Sequence, residues 1–257
     1  MSFIGVLGGM GPAATVDFMA KLVALTPARR DQDHLPVVVV SLPRIPARSP
    51  AILGHDQDPL PALADGIERL NRVNVGVIAI PCSTSHHWYG QLSAVSRAPI
   101  LHIARAAVSR APRGARTLIL ATRGALASGF FQRELAARET PFDIPSPDDD
   151  QVLVDDCIRL VKAGQPALAG AFLNRVLASA REHGVRTVIL GCTELPLAAA
   201  HIERHELQLI DCTLELARCA VDYAVRRGWN LATHAGQRSW QGHGSRAVPC
   251  AELNSGG

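Results

Sequence analysis

Two cysteines carry the clearest chemical signal in the chain. Cys82 lies in "IAIPCSTSHHW" (Ile78 to Trp88) and Cys192 in "VILGCTELPLA" (Val188 to Ala198). Each follows an apolar run, is followed closely by threonine, and opens a segment of helical pattern. A thiolate is both a nucleophile and a base, and the N–H groups and dipole of a helix start lower a thiol pKa from about 8.5 toward neutrality. The placement therefore predicts two activated thiols. Cys157 and Cys219 fall at apolar positions within helical patterns and read as small core residues. Cys212 is undecided on these grounds, and Cys250 belongs to a C-terminal tail. Zinc is the competing use, because Cys82 and His86 have ligand spacing and His87, His201 and His205 add nitrogen donors. Yet no C-x-x-C pair exists, and no H-x-x-x-H or HExxH pattern sits on a predicted helix. No metal is expected.

A second candidate is "GGMGPAAT", Gly8 to Thr15, directly after an apolar run. It satisfies G-x-G-x-x-A, the glycine pattern that lets a backbone approach a dinucleotide pyrophosphate. A ribose-binding acid is then required near the end of the second strand. Asp31 and Asp33 precede that strand, and Ser41 holds the expected position. The dinucleotide reading is set aside. What survives is a glycine turn whose N–H groups can approach an anion at a helix N-terminus.

Strand-like runs at Phe3–Leu7, Val37–Ser41, Val75–Ile80, Thr117–Ala121 and Thr187–Leu190 must position these groups. They are rich in Val and Ile without strict alternation, as in strands buried on both faces. Between them lie helical patterns at Ala13–Leu25, Asp58–Asn71, Ala127–Arg138, Asp149–Ala163 and Ala167–His183, and a last one ends at Gly228. Alternation of this kind predicts an α/β fold with parallel strands and right-handed crossovers. Cys82 and Cys192 lie 110 positions apart, and "RVNVGVIAIPC" resembles "EHGVRTVILGC". The first and fourth strands repeat at a similar offset. The two halves therefore read as copies of one unit whose strand ends face a shared cleft, where open α/β sheets place ligands. The division expected is residues 1–103 with 211–228, then 104–210, with 229–257 as a mobile tail outside the chemistry.

Composition bounds the rest. The chain has 257 residues, 47% hydrophobic and 19% charged, with a net charge of +3. That suits a folded protein with one large or two smaller α/β units. The charge is too small, and the basic residues too scattered, for a nucleic-acid partner. There is no basic n-region ahead of the first apolar run, and no run approaches the roughly 20 apolar residues of a membrane span. Six cysteines spread over this length suggest reduced thiols and a cytoplasmic location.

Taken in order, "IGVLGGMGPAATVDF", "DQDHLPVVV", "IPARS", "IPCSTSHHW" and "LGCTELPL" resemble the aspartate/glutamate racemase superfamily, over about the first 225 residues. The family's P-C-N-T-x-H falls on Pro81 to His86 and its G-C-T-E on Gly191 to Glu194. The resemblance implies two similar Rossmann-like domains with mainly parallel sheets, related by a pseudo-twofold, with the active site in the cleft between them and usually a homodimer. It implies a racemase needing no pyridoxal phosphate or other cofactor, acting on a small acidic amino acid, aspartate or glutamate. Cys82 and Cys192 would stand on either side of the α-carbon, one as base and the other as acid. Ser83, Thr84 and Thr193 would hold the α-carboxylate, Glu194 the ammonium or a neighbour, and Met10 would close one side. Arg48 and Lys162 would supply the cations for an acidic side chain, Arg48 bidentately. Ser83 departs from the usual Asn and loses two amide donors, so substrate choice is expected to differ there. Hydantoin racemisation, maleate isomerisation, malonate decarboxylation, a broader amino-acid specificity and a non-catalytic ligand-binding role are the alternatives.

Overall fold

The computed structural model describes residues 2–202 and 206–230. The first half runs β1 (Ile4–Gly8), α1 (Pro12–Leu25), β2 (Val37–Ser41), α2 (Arg48–Ile52), α3 (Leu60–Val73), β3 (Val77–Ala79), α4 (Tyr89–Val95) and α5 (Ile103–Val108). A 3-10 helix, Ser83–Trp88, lies between β3 and α4. The second half runs β4 (Thr117–Leu120), α6 (Arg123–Ser128), α7 (Phe130–Ala136), β5 (Phe142–Asp143), α8 (Asp150–Lys162), α9 (Pro166–Glu182), β6 (Thr187–Leu190), α10 (Leu195–Ala199), β7 (Gln208–Asp211) and α11 (Cys212–Val225).

All named strand pairs are parallel, in the orders β2-β1-β3 and β5-β4-β6-β7. A parallel bridge from Ile78 to Ile100 adds a fourth position beside β3. Both halves thus share one winding order, and β1, β2, β3 and the Ile100 bridge answer to β4, β5, β6 and β7. β1, β3, β4 and β6 are wholly buried, as their unbroken apolar runs require. β2 is the exception among the expected strands: it is an edge strand, and Val39 is 41% exposed.

Local signals end and start the helices. Leu60 N–H donates to the Asp58 carboxylate at the start of α3 (2.9 Å), and α8 has Asp150 in its first turn with Arg159 and Lys162 in its last. The single helix expected over Ala127–Arg138 is two, because Gly129 adopts a left-handed φ of 69° that closes α6 and opens α7. β5 and β7 were not foreseen: β5 has two residues, and β7 is short and mostly unburied.

One core runs through both halves. It joins Phe18 of α1, Ala107 of α5, Phe131 of α7, Ile189 of β6 and Leu216 of α11. α11, the last helix of the second half, packs on α1, α5 and β3 of the first. Trp229, expected as the first residue of a mobile tail, instead packs its ring on Tyr223 (5.7 Å) and against Gly76. The remainder of that expectation, Cys250 included, lies outside the described residues, as does His205. Among the described residues no helix is long and apolar enough to cross a membrane.

Candidate active site

The loops at the C-terminal ends of the strands converge on one cavity of about 290 Å³. Met10 follows β1, Arg48 follows β2, Cys82 to Thr84 follow β3, and Cys192 to Glu194 follow β6. Lys162 closes α8. All nine residues singled out in the sequence line this cavity: Met10, Arg48, Cys82, Ser83, Thr84, Lys162, Cys192, Thr193 and Glu194. Thr122 lines it as well and was not foreseen. It follows β4, where the second copy answers to the Gly9–Met10 loop, so the offset between the copies was the available signal. Its hydroxyl accepts from Ala125 N–H (3.2 Å) to cap α6 and bonds the Thr84 hydroxyl (3.0 Å), joining the two halves at the cavity.

Cys82 is 4% and Cys192 5% exposed. The Cys82 carbonyl accepts from Ser85 N–H (3.2 Å) and from His86 Nδ1 (3.1 Å). Ile103 N–H donates to His86 Nε2 (3.2 Å), which makes that nitrogen the acceptor and puts the ring proton on Nδ1. Burial lowers the His86 pKa to about 4, so the ring is neutral. Both nitrogens are engaged by backbone, and His86 serves as a clip between the Cys82 loop and α5. Among the described residues no three His, Cys, Asp or Glu side chains form a metal-holding cluster.

The Cys192 thiol donates to Glu194 Oε2 (3.1 Å), which also accepts from the Thr193 hydroxyl (3.3 Å). Burial pushes this thiol well up, and the Glu194 charge adds to it, while Lys162 pulls the other way. The expectation of a thiol lowered by a helix start fails here. α10 has five residues, too short a dipole to outweigh desolvation beside a carboxylate. Cys192 rests as a neutral thiol. Glu194 is 3% exposed, and its other oxygen, Oε1, is buried with no partner and stands close to Gly11.

Arg48 is no solvated surface charge. Its Nη1 donates to the Ile45 and Pro46 carbonyls (3.1 and 3.0 Å) and its Nη2 to the Met10 carbonyl (3.0 Å). The guanidinium ties the β2 loop to the β1 loop, and Nε is left buried without a partner. The bidentate grip expected of it is mostly spent on backbone. Lys162 makes no ion pair or hydrogen bond among the described residues. Ser83 Oγ lies 3.6 Å from the Sγ of Cys212, a contact behind the cavity wall. The glycine turn also differs from its expected use: Gly9 N–H donates to Thr15 Oγ1 (2.8 Å), and a Cβ at Gly9, whose φ is +91°, would meet Leu42 N at 2.4 Å. Its glycine serves close packing of β1 on the β2 loop.

Two parallel sheets of one strand order, with a buried thiol beyond an equivalent strand of each, define an α/β fold built from two similar halves. Residues 7–220 match the Asp/Glu/Hydantoin racemase family, and the chain belongs to that family. It is 27% identical over 223 residues to the broad specificity amino-acid racemase RacX of Bacillus subtilis (strain 168), covering 85% of this chain and 96% of that one. Its structure is similar to Picrophilus torridus aspartate racemase, with a TM-score of 0.77 and 27% identity over 90% of this chain and 100% of the other. The fold is also that of Francisella tularensis glutamate racemase in complex with D-glutamate, with a TM-score of 0.64 at 17% identity over 91% of this chain and 84% of the other.

Proposed function

We propose that the protein interconverts L- and D-aspartate or glutamate by proton transfer between two thiols, without a cofactor. The observation that carries this is the presence of Cys82 and Cys192 in the wall of one small cavity, at equivalent strand ends. Racemisation removes the α-proton from one face and returns a proton to the other. In one direction the Cys82 thiolate takes the α-proton, and the neutral Cys192 thiol delivers its own to the opposite face. The thiolate left on Cys192 then takes the α-proton in the reverse reaction. Glu194, already bonded to Cys192, is a ready acceptor for exchanging that proton. Charge flowing into the α-carboxylate is met by hydroxyls and N–H groups at Ser83, Thr84 and Thr193. Lys162 and the Arg48 guanidinium supply the positive charge that meets the side-chain carboxyl. The same reading carries a two-domain division near residue 103, a homodimer and a cytoplasmic location.

Support comes from the family and from the 27% identity to an aspartate racemase over that protein's full length. The test is incubation of pure protein with L-aspartate and L-glutamate in deuterated water. α-Deuterium and the D-enantiomer are expected, and Cys82→Ser or Cys192→Ser should each remove at least about a hundredfold of the exchange. No exchange with any common amino acid, or full activity in both variants, would sink the reading.

A further inference from the structure

A second cavity, of about 400 Å³, adjoins the first. The two share Met10, Pro43, Arg48, Lys162 and Glu194 as a common wall. Beyond that wall the lining changes character: Pro12 and Ala13 of α1, Val161 of α8 and Gly164 present apolar or backbone surface. If the α-carboxylate is held at Ser83, Thr84 and Thr193, the side chain runs toward Arg48 and Lys162 and the outer cavity continues its path. This collar carries the Glu194 carboxylate beside two cations, and its Arg48–Lys162 side asks for an oxygen acceptor at the end of an aspartate or glutamate side chain. It does not ask for a full carboxylate, because Arg48 spends three donor contacts on backbone carbonyls and its Nε is buried away from the cavity surface, which leaves the Lys162 ammonium as the donor facing the ligand. One carbonyl oxygen can accept from that donor, less strongly than a carboxylate would. A charged group carried past the collar would gain no partner from the apolar side chains at this solvent-open rim, whereas an alkyl group would cover part of their surface.

Resting on the racemase reading above, we propose that the outer cavity is a subsite for an uncharged substituent on the side-chain carboxyl, so that ω-amides of aspartate and glutamate are substrates. The carbonyl oxygen bonds at the collar and the N-alkyl group occupies the space between α1 and the end of α8. The test follows α-proton loss in deuterated water with L-aspartate, L-glutamate, N5-ethyl-L-glutamine and L-norleucine, using the wild-type chain and Ala13→Leu. Ala13 is exposed at the first turn of α1, so the larger side chain fills the outer cavity without entering a core. The ethylamide is expected to exchange within about tenfold of the free acids, and norleucine, which lacks the carbonyl, at least about tenfold more slowly. In Ala13→Leu the ratio of kcat/KM for the ethylamide to that for aspartate should fall by about tenfold or more. Exchange of the free acids without the ethylamide overturns the subsite and leaves the racemase standing. So does an unchanged ratio in the variant. Absence of exchange with all four compounds overturns both.

Discussion

The charge on Glu194 and the charge on Lys162 act on the Cys192 thiol in opposite senses, which makes the thiol's titration a direct probe of the site. Burial is the largest cause of its upward shift, Glu194 adds repulsion, and Lys162 opposes both. Glu194→Gln removes the repulsion and should move Cys192 alkylation to lower pH. Lys162→Met should move it to higher pH. Iodoacetamide labelling followed by peptide mass spectrometry against pH, in a Cys82→Ser background, reads both. Equal midpoints in all three proteins would show that the pair is not coupled. The position of Cys192 was legible in the sequence because its strand-to-cysteine junction is local and repeated. Its protonation was not, because it depends on how deeply the loop is buried and where one carboxylate turns. Ser83 shows the same boundary: its departure from the family motif was visible, but its contact with Cys212, distant in sequence, was not.

At the scale of elements, the site is held by junctions that pin loops to helices. His86 pins the Cys82 loop to the start of α5 through one donated and one accepted bond. His86→Leu leaves Ile103 N–H and the second lone pair of the Cys82 carbonyl short of partners in a buried place, a loss of about 2–4 kcal/mol. His86→Asn keeps a donor near the Cys82 carbonyl and should lose less. Urea unfolding separates the two, and equal losses would mean that ring packing, not the clip, sets the cost. A second junction joins the halves, where Gly124 N–H donates to Ser49 Oγ (2.9 Å). A Cβ on Gly124 would fall 2.7 Å from Ser49 Cα, so Gly124→Ala must push α6 from α2. About 1–3 kcal/mol of stability should be lost, together with racemase activity, because Ser49 lines the cavity. Long apolar runs and capped amphipathic stretches made five strands and most helices legible. The break at Gly129 and the two-residue β5 were not, since the first needs a left-handed backbone and the second exists only by pairing with β4.

Across the whole molecule, duplication was readable from two cysteine junctions, and the expected grouping of 211–228 with the first half matches α11 packing on α1 and α5. The continuation of that core to Phe131 and Ile189 was not readable, because it depends on tertiary packing. That core also sets the pH range of stability. His86 and His102 are depressed by burial to about 4 and about 2 from an ordinary 6.5. A depressed histidine contributes stability that is present above 6.5 and lost as pH falls toward its folded value, about 3 kcal/mol for His86 alone. Burial raises Asp17, Glu215 and Asp222, which take up protons in the folded state and offset part of the acid loss. On the other side, burial lifts Cys157 and Cys212 to about 12 from an ordinary 9.0. Raised thiols contribute stability that is complete below 9 and lost as pH climbs toward 12. The melting temperature should therefore be flat from about pH 6.5 to 9 and fall on both sides. His102 caps α5 by accepting from Arg105 N–H (3.4 Å), a role Asn also fills. His102→Asn should keep the plateau and make the acid limb shallower, read by calorimetry at half-unit steps. An acid limb of unchanged slope would assign the loss to other groups, and Cys212→Ala applies the same check to the alkaline limb.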